Sequence, residues 1–164
     1  MHSALIPSPI GPLYVEAEND RLTRLYTDGH PAYAPADPPT TGIFPLVQRQ
    51  LDEYFAGERT TFDLPIHENG TAFERKVWAR LREIPYGETA TYGEIARELN
   101  SSPRAVGRAN GRNQISIIVP CHRVIGTNGS LTGYAGGIPT KHTLLQHEQG
   151  LLAGRSSGPP GVAS

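Results

Sequence analysis

Apolar and polar positions along the first 70 residues follow two different periods. Leu13-Tyr14-Val15 and Leu22 to Thr27 are short apolar-rich runs separated by Asn19-Asp20, which predicts two strands joined as a hairpin. Phe44, Val47, Leu51, Tyr54 and Phe55 then recur at helical spacing, and Gly57 closes that helix. Between these elements, His30 to Gly42 is a proline-rich loop. Leu64-Pro65-Ile66 is a further short extended piece, and His67 to Gly70 marks the passage to a second lobe.

The second lobe is patterned for helices. Thr71 and Glu74 form a capping box, Phe73, Val77, Trp78 and Leu81 make one apolar stripe, and Pro85-Tyr86-Gly87 stops the helix. Thr91 and Glu94 repeat the capping box ahead of Ile95, Ala96 and Leu99. Ser102 is then placed as N-cap with Pro103 in the first helical position, starting a short helix over 104–110 that closes on Gly111. Ile115 to Val119 is an apolar run of strand-like character, and Thr140 to Gln149 is a last helix with Leu144 and Leu145 inward. Residues 151–164 have the composition of a flexible tail.

Two short capped helices around a tight polar turn make a helix-turn-helix pattern. The second helix carries little bulk (Ala105, Gly107, Ala109) and sets Arg104 and Arg108 on one face. Such a helix suits close approach to a nucleic-acid backbone. A surface helix pair that only packs on its lobe has the same signature.

Composition narrows the class. The chain has 164 residues, 37% hydrophobic and 19% charged, enough to bury a core and too sparsely charged for a disordered polyelectrolyte. One cysteine, Cys121, excludes an intramolecular disulfide and a thiolate zinc cluster. No run is long enough to span a bilayer and the N-terminus lacks a signal-peptide pattern, so the expectation is a soluble, cytoplasmic protein without membrane contact. The net charge of −1 conceals an asymmetry: residues 1–70 hold four basic and ten acidic side chains, residues 71–125 nine basic and five acidic. The basic region coincides with the helix-turn-helix.

Cys121 follows the apolar run and precedes His122 and Arg123, ahead of a glycine-rich loop. A thiolate is a nucleophile, and cationic neighbours lower a thiol's pKa. Adjacent side chains on an extended chain point apart, so His122 requires a sharp turn or a bridging water to serve Cys121. A lone cysteine also fits as a small buried hydrophobe.

Pro120-Cys121-His122-Arg123-Val124-Ile125-Gly126 resembles the active-site signature of the O6-alkylguanine-DNA alkyltransferases. Arg104-Ala105-Val106-Gly107 resembles that family's recognition helix, and Tyr134-Ala135-Gly136-Gly137 its Tyr-x-Gly-Gly loop. Lys141 with Leu144-Leu145-x-x-Glu148 resembles its last helix, and Ile84 to Glu88 and Thr91 to Ala96 fit as well. The resemblance is strong over residues 71–150.

It implies an α+β fold of two lobes. Residues 1–66 form a small antiparallel sheet with a helix, residues 67–150 a mostly helical DNA-binding and catalytic lobe, and residues 151–164 a tail. It implies stoichiometric repair of double-stranded DNA, an alkyl group passing from O6 of guanine (more weakly from O4 of thymine) irreversibly to Cys121. No cofactor or metal is expected, and the chain is expected to be monomeric off DNA. Cys121 would be the acceptor, His122 the general base through a water, and Glu148 the carboxylate that holds His122. Arg104 would enter the base stack from the minor groove, and Tyr92 would press on the backbone and protonate the leaving guanine. Thr91, Gly93, Ser102, Ala105 and Thr127 would complete the DNA contact. Asn110, Asn113, Val124, Tyr134 and Ala135 would shape the base pocket, Asn113 by holding the turn before Cys121. Three departures bear on substrate range: Gln114 stands where proline usually follows the asparagine, Ala135 where some members have serine, and Asn110 where some have methionine.

Overall fold

The computed structural model describes residues 2–131, 134 and 136–157, with side chains given up to residue 150. Three antiparallel strands, β1 (His2–Ile6), β2 (Leu13–Glu18) and β3 (Arg21–Tyr26), form a sheet in that order. The β2–β3 hairpin turns through Asn19 and Asp20, both left-handed at φ 53° and 58°, as a two-residue primed turn demands. Strand β1 carries too short a pattern to be foreseen, and it forms because β2 offers a pairing edge, with Ala4 opposite Val15 and Ile6 opposite Leu13. Helix α1 (Phe44–Phe55) buries Phe44, Val47, Leu51 and Tyr54 in the same core as the sheet's Val15, Leu22 and Leu25.

The outer edge of β3 pairs with two segments of the chain that follow. The Leu22 N–H donates to Pro65 O (2.8 Å) and Leu22 O accepts from the His67 N–H (2.9 Å). Further along, the Leu25 N–H donates to Gln114 O (2.8 Å) and Leu25 O accepts from the Ser116 N–H (3.0 Å). The approach to Cys121 is thus hydrogen-bonded to the N-terminal sheet.

In the second lobe, α2 (Ala72–Arg82) starts from the Thr71/Glu74 capping box and α3 (Tyr92–Glu98) from the Thr91/Glu94 box. Helix α4 (Pro103–Gly111) starts at Ser102, whose hydroxyl accepts from the Ala105 N–H at 3.1 Å. The Trp78 indole donates to Ala109 O at 2.9 Å and ties α2 to α4. Strands β4 (Ala90–Thr91) and β5 (Val124–Ile125) pair in parallel, setting the start of α3 beside the Cys121 segment.

Three expectations need correction. Ile115 to Val119 is not a strand: only Ile115 bridges to the sheet, and the chain then turns through Ser116 to Ile118, with Ile117 at φ 72°. Asn113 causes this turn, since its side chain accepts from the Ile115 N–H (3.0 Å) and donates to Val119 O (2.7 Å). The apolar run reflects complete burial of a turn, which periodicity alone does not separate from a buried strand. The tail boundary also moves, because α5 (Ile138–Ser157) runs past Gly150. A single interior glycine costs a helix only about 1 kcal/mol, and Leu151, Leu152 and Ala153 favour its continuation. Residues 158–164 lie outside the described residues. Gly111, lastly, is the final residue of α4 and is not in a left-handed conformation, so the helix ends on Arg112 without a glycine cap.

Candidate active site

Cys121, His122 and Arg123 form one turn of 3-10 helix between the Asn113-held loop and β5. This supplies the sharp turn that an extended chain lacks. All three residues are buried, His122 completely and Cys121 to 5% exposure.

Helix α5 brings Glu148 against them. The His122 Nε2–H donates to Glu148 Oε2 at 2.7 Å, which leaves Nδ1 as the basic nitrogen, and Nδ1 has no hydrogen-bond partner among the described residues. Arg123 grips the same carboxylate in a fork, Nε to Oε1 at 2.8 Å and Nη2 to Oε2 at 2.9 Å. Its Nη1 donates to Ile84 O at 2.8 Å. The Tyr54 hydroxyl, arriving from α1, donates to Glu148 Oε2 at 2.6 Å.

These contacts settle the charges. Burial opposes ionisation of Glu148, but His122 and Arg123 outweigh it and hold the carboxyl well below its usual range. Burial lowers the His122 pKa, with Glu148 pulling it partly back, so the resting imidazole is neutral. Burial raises the Cys121 thiol, against the opposing pull of Asn113 and Lys141. Cationic neighbours were expected to lower this thiol, but desolvation wins, and the sulfur needs a base to become a nucleophile.

Lys141 is fully buried, and its Nζ donates to Val124 O. Desolvation lowers its pKa to about 8, with Cys121 opposing. Its ammonium sits 5.8 Å from the centre of the buried Tyr92 ring. Asn110 donates to Cys121 O at 3.3 Å, so α4 reaches the backbone of Cys121.

Tyr134 is buried, and its phenol is raised by desolvation and by Cys121, which marks it as a neighbour of the thiol. The adjacent Gly136 is held against the N-terminal lobe: a Cβ there would lie 2.1 Å from Thr27 Oγ1 and 2.7 Å from the Tyr134 ring. Ala135 lies outside the described residues. A separate groove of about 530 Å³ between the lobes is lined by Phe62, Arg82, Tyr86, Ile118 and Pro120, but not by Cys121.

The predicted DNA-contacting residues lie at or near the surface. Arg104, Ser102 and Thr127 are exposed, and Thr91, Gly93 and Ala105 are partly so. A Cβ on Gly93 would meet Thr127 Oγ1 at 3.2 Å, so these two positions are neighbours. No helix among the described residues is long and apolar enough to cross a membrane.

Sequence reasoning missed Tyr54 and the grip of Arg123 on Glu148. Tyr54 carries the signature of an ordinary core aromatic on a helical stripe. Arg123 had a usable signal, a cation next to a buried His and too close to it to remain unpaired.

Two family models match the chain: the ribonuclease-like domain of 6-O-methylguanine DNA methyltransferase over residues 1–67, and its DNA binding domain over residues 72–150. A methylated-DNA--protein-cysteine methyltransferase of Methanosarcina acetivorans is 46% identical over 155 residues, covering 90% of this chain and 98% of that protein. One from Mycobacterium bovis is 48% identical over 157 residues, covering 91% and 93%. Among solved structures, Mycobacterium tuberculosis OGT in complex with DNA superposes with a TM-score of 0.84 at 47% identity, covering 92% of this chain and 94% of that one.

Proposed function

Since the chain belongs to the 6-O-methylguanine DNA methyltransferase family, we propose that it repairs DNA by taking the alkyl group of O6-alkylguanine, and more weakly of O4-alkylthymine, onto Cys121. The observation that carries this reading is the buried chain of contacts from the Cys121-His122 turn to Glu148.

The neutral thiol gives its proton through a water to Nδ1 of His122. The imidazolium so formed is stabilised by Glu148, which stays ionised because Arg123 and Tyr54 also donate to it. Cys121 Sγ attacks the alkyl carbon as the C–O6 bond breaks, and that electron pair moves onto guanine. Tyr92 donates a proton to the base as the charge develops, and Lys141 near its ring favours that donation. The thioether product has no leaving group, so each molecule acts once.

A thiol this deeply set reaches only a base that has left the duplex. Arg104, exposed at the start of α4, enters the stack from the minor groove and fills the gap. Thr91, Gly93, Ser102, Ala105 and Thr127 hold the backbone. Asn110, Val124 and Tyr134 bound the base pocket, and Asn113 holds the loop beneath it. Residues 67–150 carry binding and chemistry, residues 1–66 support them, and the protein works as a monomer in the cytoplasm, wherever it meets DNA.

Intact-protein mass after mixing with an O6-methylguanine duplex tests this. The expected product is one methyl group heavier, with the modification on Cys121 and a yield no greater than the protein supplied. Repeated turnover, or repaired DNA beside an unmodified Cys121, overturns the reading.

A further inference from the structure

Glu148 receives a donor from each lobe. Oε2 accepts from His122 Nε2 at 2.7 Å, from Arg123 Nη2 at 2.9 Å and from the Tyr54 hydroxyl at 2.6 Å, the last two beyond what orientation of the imidazole requires. Tyr54 lies near the C-terminal end of α1, is fully buried, and is 94 residues from Glu148 in sequence. Its backbone carbonyl faces His147, whose Nε2 lies 2.9 Å away. Two consecutive residues of α5 are therefore held by a single residue of the N-terminal lobe. The ring is clamped in turn by Phe55, Phe62 and Tyr86, with centroids at 5.0, 5.5 and 6.0 Å.

We infer that Tyr54 is a positioning residue for alkyl transfer, through which the N-terminal lobe fixes the Glu148 carboxylate and tunes the basicity of His122. The inference rests on the relay described above. A phenol donating to a carboxylate withdraws charge from it. Without that donor, Glu148 attracts the imidazolium more strongly, and the carboxylate loses one of the bonds that set its rotation. Burial and the Glu148 charge keep the Tyr54 hydroxyl protonated, so it donates throughout the working pH range. The other ionisable groups acting on His122 are Arg123 and, from α5, Lys141. Tyr86 and His147 flank Tyr54.

The test replaces the donor and keeps the ring. Single-turnover transfer to a saturating O6-methylguanine duplex is measured across pH for the parent and Tyr54→Phe, and the His122 imidazole is titrated by nitrogen-15 NMR without DNA. Loss of the bond that sets the carboxylate's rotation outweighs the gain in His122 basicity and predicts transfer slower by about tenfold at neutral pH. Duplex affinity should be unchanged, and the His122 titration should move upward. Phe62→Leu loosens the same cluster without touching the hydroxyl, and is expected to lower the melting temperature without moving the titration. Should Tyr54→Phe fail to fold, 3-fluorotyrosine at position 54 supplies a stronger donor and should move the titration downward. A His122 titration insensitive to the donor at position 54 overturns the inference. A parent that titrates and responds as stated but transfers no methyl to Cys121 refutes the proposed function and leaves the Tyr54–Glu148–His122 coupling standing.

Discussion

The relay around Glu148 and the outer face of α4 are opposite solutions within one lobe. Glu148 is fully buried and held by donors from His122, Arg123 and Tyr54. Arg104 and Arg108 stand exposed, four residues apart on a short helix of small residues. Catalysis needs groups whose charges and orientations are set before substrate arrives, and only a desolvated, fully bonded cluster provides that. Under the proposed function, recognition of undamaged and damaged duplex alike would draw on such exposed cations to exchange counterions for phosphates. Substitution in the relay should therefore change rate and stability together, whereas substitution on α4 should change binding alone.

The largest effect tests the separation outright. Cys121→Ala should abolish transfer, read as the absence of any mass increase, while its duplex affinity matches the parent in a gel-shift titration. Joint loss of both would merge the two regions.

Next is Glu148→Gln. Removing the charge leaves the Arg123 guanidinium buried against a neutral partner, and breaking a buried pair in this way costs about 3–5 kcal/mol. The denaturation midpoint should fall accordingly and transfer should slow. An unchanged midpoint would mean that the cluster is functional without being structural.

Acid should act on the relay in two stages. His122 has a folded pKa below the ordinary 6.5, so the stability of its neutral form is present above that value and is lost as pH falls below it. Glu148 has a folded pKa below 4.5, so its contribution holds above that value and declines beneath it. Melting temperature followed from pH 7 downward should show both stages in the parent, and Glu148→Gln should lack the lower one.

The smallest effect belongs to α4. Arg104→Ala should weaken the hold on a duplex carrying O6-methylguanine by about tenfold. Its melting temperature should be unchanged, since Arg104 is exposed. A loss of stability there would show that α4 is part of the rigid core after all.

Legibility in the sequence followed the range of the interaction. Both capping boxes, the Ser102 cap and the Asn19-Asp20 turn depend on groups within three residues of one another, and each formed as expected. The run from Ile115 to Val119 misled because its apolarity reported burial, while its shape was set by one side chain, Asn113, bonding at both ends of the loop. The protonated thiol was also beyond local reading. Adjacent cations argue for a low pKa, but burial of the thiol, a result of tertiary packing, reverses the argument.

The amino-acid order alone was enough to raise Cys121, His122 and the Ser102-capped helix as candidates, because these are matters of residue type and of spacing within one element. The family resemblance had already paired Glu148 with His122, and tertiary structure decided that Arg123 shares the carboxylate and that Tyr54 crosses from the other lobe to complete its shell. Such partnerships join residues up to 94 positions apart. They arise only when packing of the core brings α1 and α5 together, and no local pattern encodes that meeting.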